Sequence, residues 1–125
     1  MSILSHYKNI TPYITRDGSE IRELMHPDSH GNQLQSLAEA IIKPGETTLL
    51  HHHIKSEELY YILQGEGEMQ LGNDTLQVKA GDSICIPPIT RHNIKNTGNL
   101  DLKMLCCCSP AYSHSDTLIT NTVID

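Results

Sequence analysis

The 125-residue chain has no tryptophan and no phenylalanine, and its aromatic side chains other than histidine are five tyrosines. Its core must therefore be built mainly from Ile, Leu, Val, Met and Tyr. Positive charge is scarce as well: nine Lys and Arg against fifteen Asp and Glu give a formal net charge of -6. The basic residues are scattered and form no stripe that could neutralise phosphates, so neither nucleic acid nor an anionic membrane surface is expected as a partner. No apolar run approaches the ~18 residues of a membrane span, and "MSILSHYKNITPYITRDG" has no apolar stretch of signal-peptide length. A cytoplasmic location is the expectation. Of four cysteines, Cys106, Cys107 and Cys108 are adjacent and Cys85 stands alone, unlike the spaced framework of a secreted disulfide scaffold, so reduced thiols are expected.

A sustained helical period is also missing. From about residue 34 the chain breaks into short β-favouring runs separated by turn-like stretches such as "KPGE", "QGEG", "GND", "AGD", "PPIT" and "NTGN". Strands are expected over Leu34 to Ile42, Thr47 to Ile54, Leu59 to Leu63, Gly67 to Leu71, Thr75 to Lys79, Ser83 to Ile86, His92 to Asn96 and Leu102 to Cys108. Short strands at near-regular spacing suggest an all-β sandwich or small barrel, with a jelly roll fitting best. The length suits a single domain. Residues 1–33 read as a loop with one short strand, 34–108 as the barrel, and 109–125 as a polar tail. "LYYIL" at 59–63 and "LKMLCCC" at 102–108 are apolar on both parities, so something should cover the outside of the sheet. A homodimer contact or the chain's own N-terminal segment would do so.

The histidines are the other positive feature. In "HHHIKSEE", residues 51–58, strand alternation points His51 and His53 to one face and His52 to the other. A turn after His53 would return the chain antiparallel and could bring Glu58 beside the pair. His92, after a Pro-Pro turn, would complete the set. Three imidazoles and one carboxylate suit a transition metal and not Mg or Ca. The alternative is a solvated histidine loop with an ordinary turn histidine at 92.

Context favours the metal. Gly45, His51, His53, Glu58 and Gly65 fit the first cupin motif, G-x5-H-x-H-x4-E-x6-G. Gly81, Pro87, His92 and Asn96 fit the second, G-x5-P-x-G-x2-H-x3-N, with Ile89 standing where the family usually has glycine. Over residues 34–108 the chain resembles a small single-domain cupin. That resemblance implies a jelly-roll β-barrel around one divalent transition metal (Fe, Mn, Zn or Ni) held by His51, His53, Glu58 and His92.

Strand parity nominates the rest of the pocket. Thr47 and Leu49 should share the face of the histidine pair, Tyr60 and Ile62 that of Glu58, and Ile94 that of His92. This predicts a largely apolar pocket in which Tyr60 is the polar exception, a packing group or a donor of a hydrogen bond or proton. Gln35 would run past the metal on an early strand. Cys106 and Cys108 should face inward with Met104. Tyr112, His114 and Asp116, like His26 and His30, are expected on solvated surface.

A divalent ion with one carboxylate ligand keeps net positive charge, which favours a small anionic or oxygen-chelating ligand. Two reaction classes follow: an Fe(II) dioxygenase, slightly preferred because the pocket reads as poor in acid-base groups, or a non-redox isomerase, decarboxylase or lyase. A barrel that binds or senses a small ligand without catalysis is the third reading.

Overall fold

The computed structural model describes residues 2–120. Short strands β1 (Tyr13–Ile14) and β2 (Glu20–Met25) precede one turn of helix, α1 (Pro27–His30). Then come β3 (Ser36–Ile42), β4 (His51–His53), β5 (Glu57–Gln64), β6 (Glu66–Leu71), β7 (Asp74–Lys79), β8 (Ser83–Ile86), β9 (His92–Asn96), β10 (Leu102–Ser109) and β11 (Thr117–Ile119). Two antiparallel sheets result, one in the order β1-β2-β3-β10-β5-β8 and the other β11-β4-β9-β6-β7. This is the expected all-β jelly roll.

The strands form where apolar residues alternate. β5 buries Glu58, Tyr60 and Ile62 and exposes Glu57, Leu59, Tyr61 and Leu63. β10 buries Leu102, Met104, Cys106 and Cys108. Register then sorts the interior along the barrel axis. At one end Ala40, Met104 and Ile62 lie side by side across β3, β10 and β5, joined by Ile42, Leu102, Met69, Val78 and Ile94 in a closed apolar cluster. Each fully buried Ile, Leu or Met there contributes on the order of 1.5–3 kcal/mol. Toward the other end the paired rows become Ala38, Cys106 and Tyr60, then Ser36, Cys108 and Glu58. The same sheet thus changes from plug to polar cavity within two residue steps.

Two motif positions are explained by the backbone. Gly65 has φ of 89°, and a Cβ there would lie 3.0 Å from the Asp101 carbonyl oxygen. Asn96, 1% exposed, donates from Nδ2 to the carbonyls of Ile42 and Leu100 and accepts from the Gly98 amide. It pins the loop between β9 and β10 from inside.

Four expectations are corrected. The strand foreseen from Thr47 is only His51–His53, with Thr47 in an isolated bridge to Lys95, because the Thr48 and Leu49 amides bond to the carbonyls of Ile94 and Asp17. Parity breaks there: Thr48 is buried and lines the cavity, while Thr47 and Leu49 are exposed. Gln35 is exposed, with Oε1 3.8 Å from the outward Cys107 thiol, so it is not beside the histidines. The N-terminal segment covers only one corner of the outer sheet, where the Tyr7 hydroxyl donates to Glu39 at 2.6 Å. Leu59, Tyr61 and Leu63 stay 44–49% exposed.

The polar tail is the fourth. Its residues 117–119 form β11 and pair with β4, Thr117 opposite His53. The physical reason is the turn after β4, whose Lys55 and Ser56 amides are capped by the Asp116 carboxylate at 2.9–3.2 Å. No helix of the described residues is long and apolar enough to cross a membrane.

Candidate metal centre

His51 and His53 enter the cavity from β4 and His92 from the start of β9, where it pairs with His51. All three are buried, His92 completely. One nitrogen from each lies within 4.8 Å of the others, an arrangement that could hold a metal ion. His52 takes the opposite face of β4 and is only half-buried.

The partners on the far side of each ring fix the tautomer. His51 Nδ1 and His92 Nδ1 lie 2.9 Å from the carbonyl oxygens of Leu49 and Thr90, which can only accept. His53 Nδ1 lies 2.9 Å from Thr117 Oγ1, and that hydroxyl donates to the Ser113 carbonyl at 2.9 Å, so it accepts from the ring. All three rings therefore carry a proton on Nδ1 and turn Nε2 inward, the nitrogen that binds metal in a neutral ring. His92 Nε2 is buried without a hydrogen-bond partner. The donor set fits a transition metal and explains that orphan.

Glu58 completes the cluster from β5, with Oε1 3.2 Å from His53 Nε2 and 3.6 Å from His92 Nε2. Burial alone would raise its pKa. The hydrogen bond with His53, with the His92 ring close by, outweighs that and holds the carboxyl down to about 2. A cation bound among the same atoms would take the place of the His53–Glu58 contact. Burial pushes His51 below its ordinary 6.5, His92 adds to this, and Asp17 opposes it. A neutral His51 at pH 7 is a ready ligand.

Asp17 is one of the residues that sequence reading missed. It sits in the turn between β1 and β2, with Oδ1 held by the Ser19 amide and hydroxyl at 3.0 and 2.6 Å. Its Oδ2 lies 3.8 Å from His51 Nε2. "DG" at 17–18 signals a turn, but nothing local says that this turn folds over the mouth of the barrel.

The cavity encloses about 600 Å³ of empty space, its open mouth included. Tyr60 lines it as parity required, its ring 6.2 Å from that of His92. Burial, then the Glu58 charge, raises the Tyr60 phenol well above 10, so it stays protonated. Burial, then Glu58, likewise keeps Cys106 and Cys108 as neutral thiols. The expectation of an apolar pocket is corrected, because Tyr13, Thr15, Asp17, Ser19, Glu23 and Tyr112 also line it. They come from chain ends where no strand parity was assigned.

Tyr112, expected on solvated surface, roofs the site instead. Its ring is edge-on to His53 at 5.8 Å, and its hydroxyl is 3.2 Å from Thr15 Oγ1 and 3.0 Å from His114 Nδ1. His26 is not free either, its Nε2 lying 2.7 Å from the Tyr112 carbonyl. His30 Nδ1 accepts from the His26 amide, closing α1.

With this geometry in hand, similarity to known proteins is informative. A profile of the cupin domain matches residues 38–108. An uncharacterized protein of Methanocaldococcus jannaschii is 57% identical over 117 residues, 94% of each chain. Polyketide synthase CurC of Streptomyces cyaneus is 32% identical over 115 residues, 88% of this chain and 74% of that one. Among solved structures, a predicted oxalate decarboxylase of Thermotoga maritima superposes with a TM-score of 0.74 at 29% identity, covering 88% of this chain and 99% of the other. With the motif histidines gathered inside a jelly roll and the domain profile spanning more than half of its length, this chain belongs to the cupin family.

Proposed function

We propose that His51, His53, Glu58 and His92 hold one divalent transition metal, iron, manganese, zinc or nickel, and that the protein is a metal-dependent enzyme acting on a small oxygen-chelating molecule. The observation that carries this reading is the convergence of three buried imidazole nitrogens, of which His92 Nε2 has no hydrogen-bond partner. A metal bound there supplies Lewis acidity toward a carbonyl or enol oxygen. Glu58 contributes one negative charge to the site. Tyr60, kept protonated by burial, is the proposed catalytic residue, donating a hydrogen bond or proton to the bound ligand. Tyr112 and the turn carrying Asp17 roof the site and limit water access, which strengthens every electrostatic contact inside.

The preference for an Fe(II) dioxygenase rested on a pocket poor in acid-base groups. The lining carboxylates and phenols remove that ground, so non-redox isomerase, decarboxylase, lyase or cyclase chemistry is the better supported class. The similarity to a polyketide synthase protein and to a predicted oxalate decarboxylase supports a small oxygen-rich ligand. A binding barrel without catalysis is the competing reading. Metal uptake followed by turnover tests both: Glu58→Ala should abolish turnover of the loaded protein, whereas a pure binding barrel keeps its metal-independent ligand affinity in that variant.

We further propose a homodimer through the exposed outer face, where register sets Leu37, Cys107, Leu59 and Cys85 in one row and Leu105 beside Tyr61 in another. Residues 34–108 form the proposed barrel unit, with β1, β2 and β11 added at the edges of its two sheets. Four free cysteines support a reducing compartment, and on that basis the cytoplasm is the proposed location.

A further inference from the structure

Counting the metal and its ligands alone leaves positive charge, but the whole cavity gives a different sum. Asp17 and Glu23 line the same space as Glu58, and among the described residues lining it there is neither Lys nor Arg. A divalent ion against three carboxylates leaves the cavity negative by one charge. Arg16 lies between two lining residues in sequence, yet it faces away from the cavity and donates to the His114 carbonyl at 3.2 Å.

Glu23 is the informative member. It enters from β2 opposite Ala38, in the row that continues through Cys106 to Tyr60. Three strand spacings separate it from β5, roughly 14 Å along the sheet, so it faces the end of a ligand remote from the metal. Its Oε2 accepts from the Tyr13 hydroxyl at 3.0 Å. Its Oε1 is buried and has no hydrogen-bond partner. A buried carboxylate oxygen without a donor is costly unless a ligand supplies one.

We infer that the cavity takes an uncharged, polyhydroxylated ligand, which chelates the metal through adjacent oxygens at one end and donates a hydroxyl hydrogen to Glu23 Oε1 at the other, and that Glu23 rejects ligands with a carboxylate at that far end. The inference rests on the metal reading proposed above and deepens it by naming the ligand class. A carboxylate at the far end meets Glu23 with no lining cation to offset it, whereas a hydroxyl meets an empty acceptor. Glu23 acts on specificity and does not hold the metal.

The test is calorimetric titration of zinc-loaded protein, without oxygen, with two catechols of equal length as probes, 4-(3-hydroxypropyl)catechol and 3-(3,4-dihydroxyphenyl)propanoate, which differ only in carrying a hydroxyl or a carboxylate at the far end. In Glu23→Gln, the hydroxypropyl probe should bind ~10-fold more weakly and the carboxylate probe ~10-fold more tightly than in the wild type, the expected effect of losing a charged acceptor and a like charge. Glu23→Asp keeps the charge but shortens the reach, so it should lose affinity for the hydroxypropyl probe while still rejecting the carboxylate, and it serves if the glutamine variant folds poorly. Zinc content should remain at the wild-type level in both. Unchanged probe affinities in folded, zinc-loaded variants would overturn the inference while leaving the metal reading intact. A wild-type chain that takes up no metal would overturn both.

Discussion

Ile89 is the residue where the chain departs from its family's second motif, and it is the one non-glycine with positive φ, 73°, among the described residues. The turn before His92 therefore keeps the left-handed conformation that glycine would adopt freely. Its amide donates to the His53 carbonyl at 2.7 Å, tying β4 to the approach of β9. A β-branched residue in that region costs ~1–2 kcal/mol, and Ile89 is 67% exposed, so little burial offsets the strain. Ile89→Gly should raise stability by about 0.5–1 kcal/mol after glycine's own entropy cost, read as a higher denaturant midpoint with unchanged metal content.

Glu58 carries the second residue-scale prediction. Its carboxyl, held at about 2 against an ordinary 4.5, takes up a proton in the unfolded chain before it does in the folded one. Its contribution to stability is therefore complete above pH 4.5 and lost as pH falls toward 2. Melting temperatures of metal-free protein across that window should fall less steeply in Glu58→Gln than in the wild type. Parallel curves would mean that Glu58 is not coupled to His53 and His92.

At the scale of elements, the late strand β11 holds the histidine cluster from behind. Thr117 Oγ1 accepts a hydrogen bond from His53 Nδ1 and donates one to the Ser113 carbonyl, which fixes the ring without touching a metal. Thr117→Val preserves shape and strand preference but removes the acceptor. Metal affinity should drop by ~10-fold to 100-fold, the usual effect of losing such a partner, with secondary structure by circular dichroism unchanged.

This contact marks how far the sequence was legible. His51, His53, Glu58 and His92 could be nominated because strand alternation and fixed spacing are local facts, and the same facts put Tyr60 and Ile94 on the cavity wall, while Ile62 shares the inward parity but packs in the apolar core. Asp17, Glu23, Tyr112 and Thr117 were out of reach, since each gets its position from pairing between distant segments. β11 pairs with β4 across more than sixty residues, and Asp17 is set by a turn whose carbonyl meets the Leu49 amide. Thr47 and Leu49 were misassigned for the same reason: alternation was extended past the point where the ladder ends.

At the scale of the whole molecule, the barrel has a dry end, a polar mouth and one uncovered apolar side. Leu59, Tyr61 and Leu63 of β5 project from the outer sheet, and the N-terminal segment contacts its β2–β3 corner at Arg22, Leu24 and Glu39. Analytical ultracentrifugation should show a dimer for the wild type and a monomer for Tyr61→Lys, with metal content unaffected. A wild-type monomer would leave that face to another partner.

The central claim is that the three inward histidines and Glu58 are a metal centre, and metal content by mass spectrometry tests it most directly. Tag-free protein equilibrated with zinc or manganese and dialysed should retain about one equivalent per chain, as expected for a single closed donor set. His92→Ala should retain almost none, since it removes the completely buried imidazole whose Nε2 has no protein partner. A wild-type chain that retains no metal, or a His92→Ala variant that retains as much as the wild type, would contradict the account.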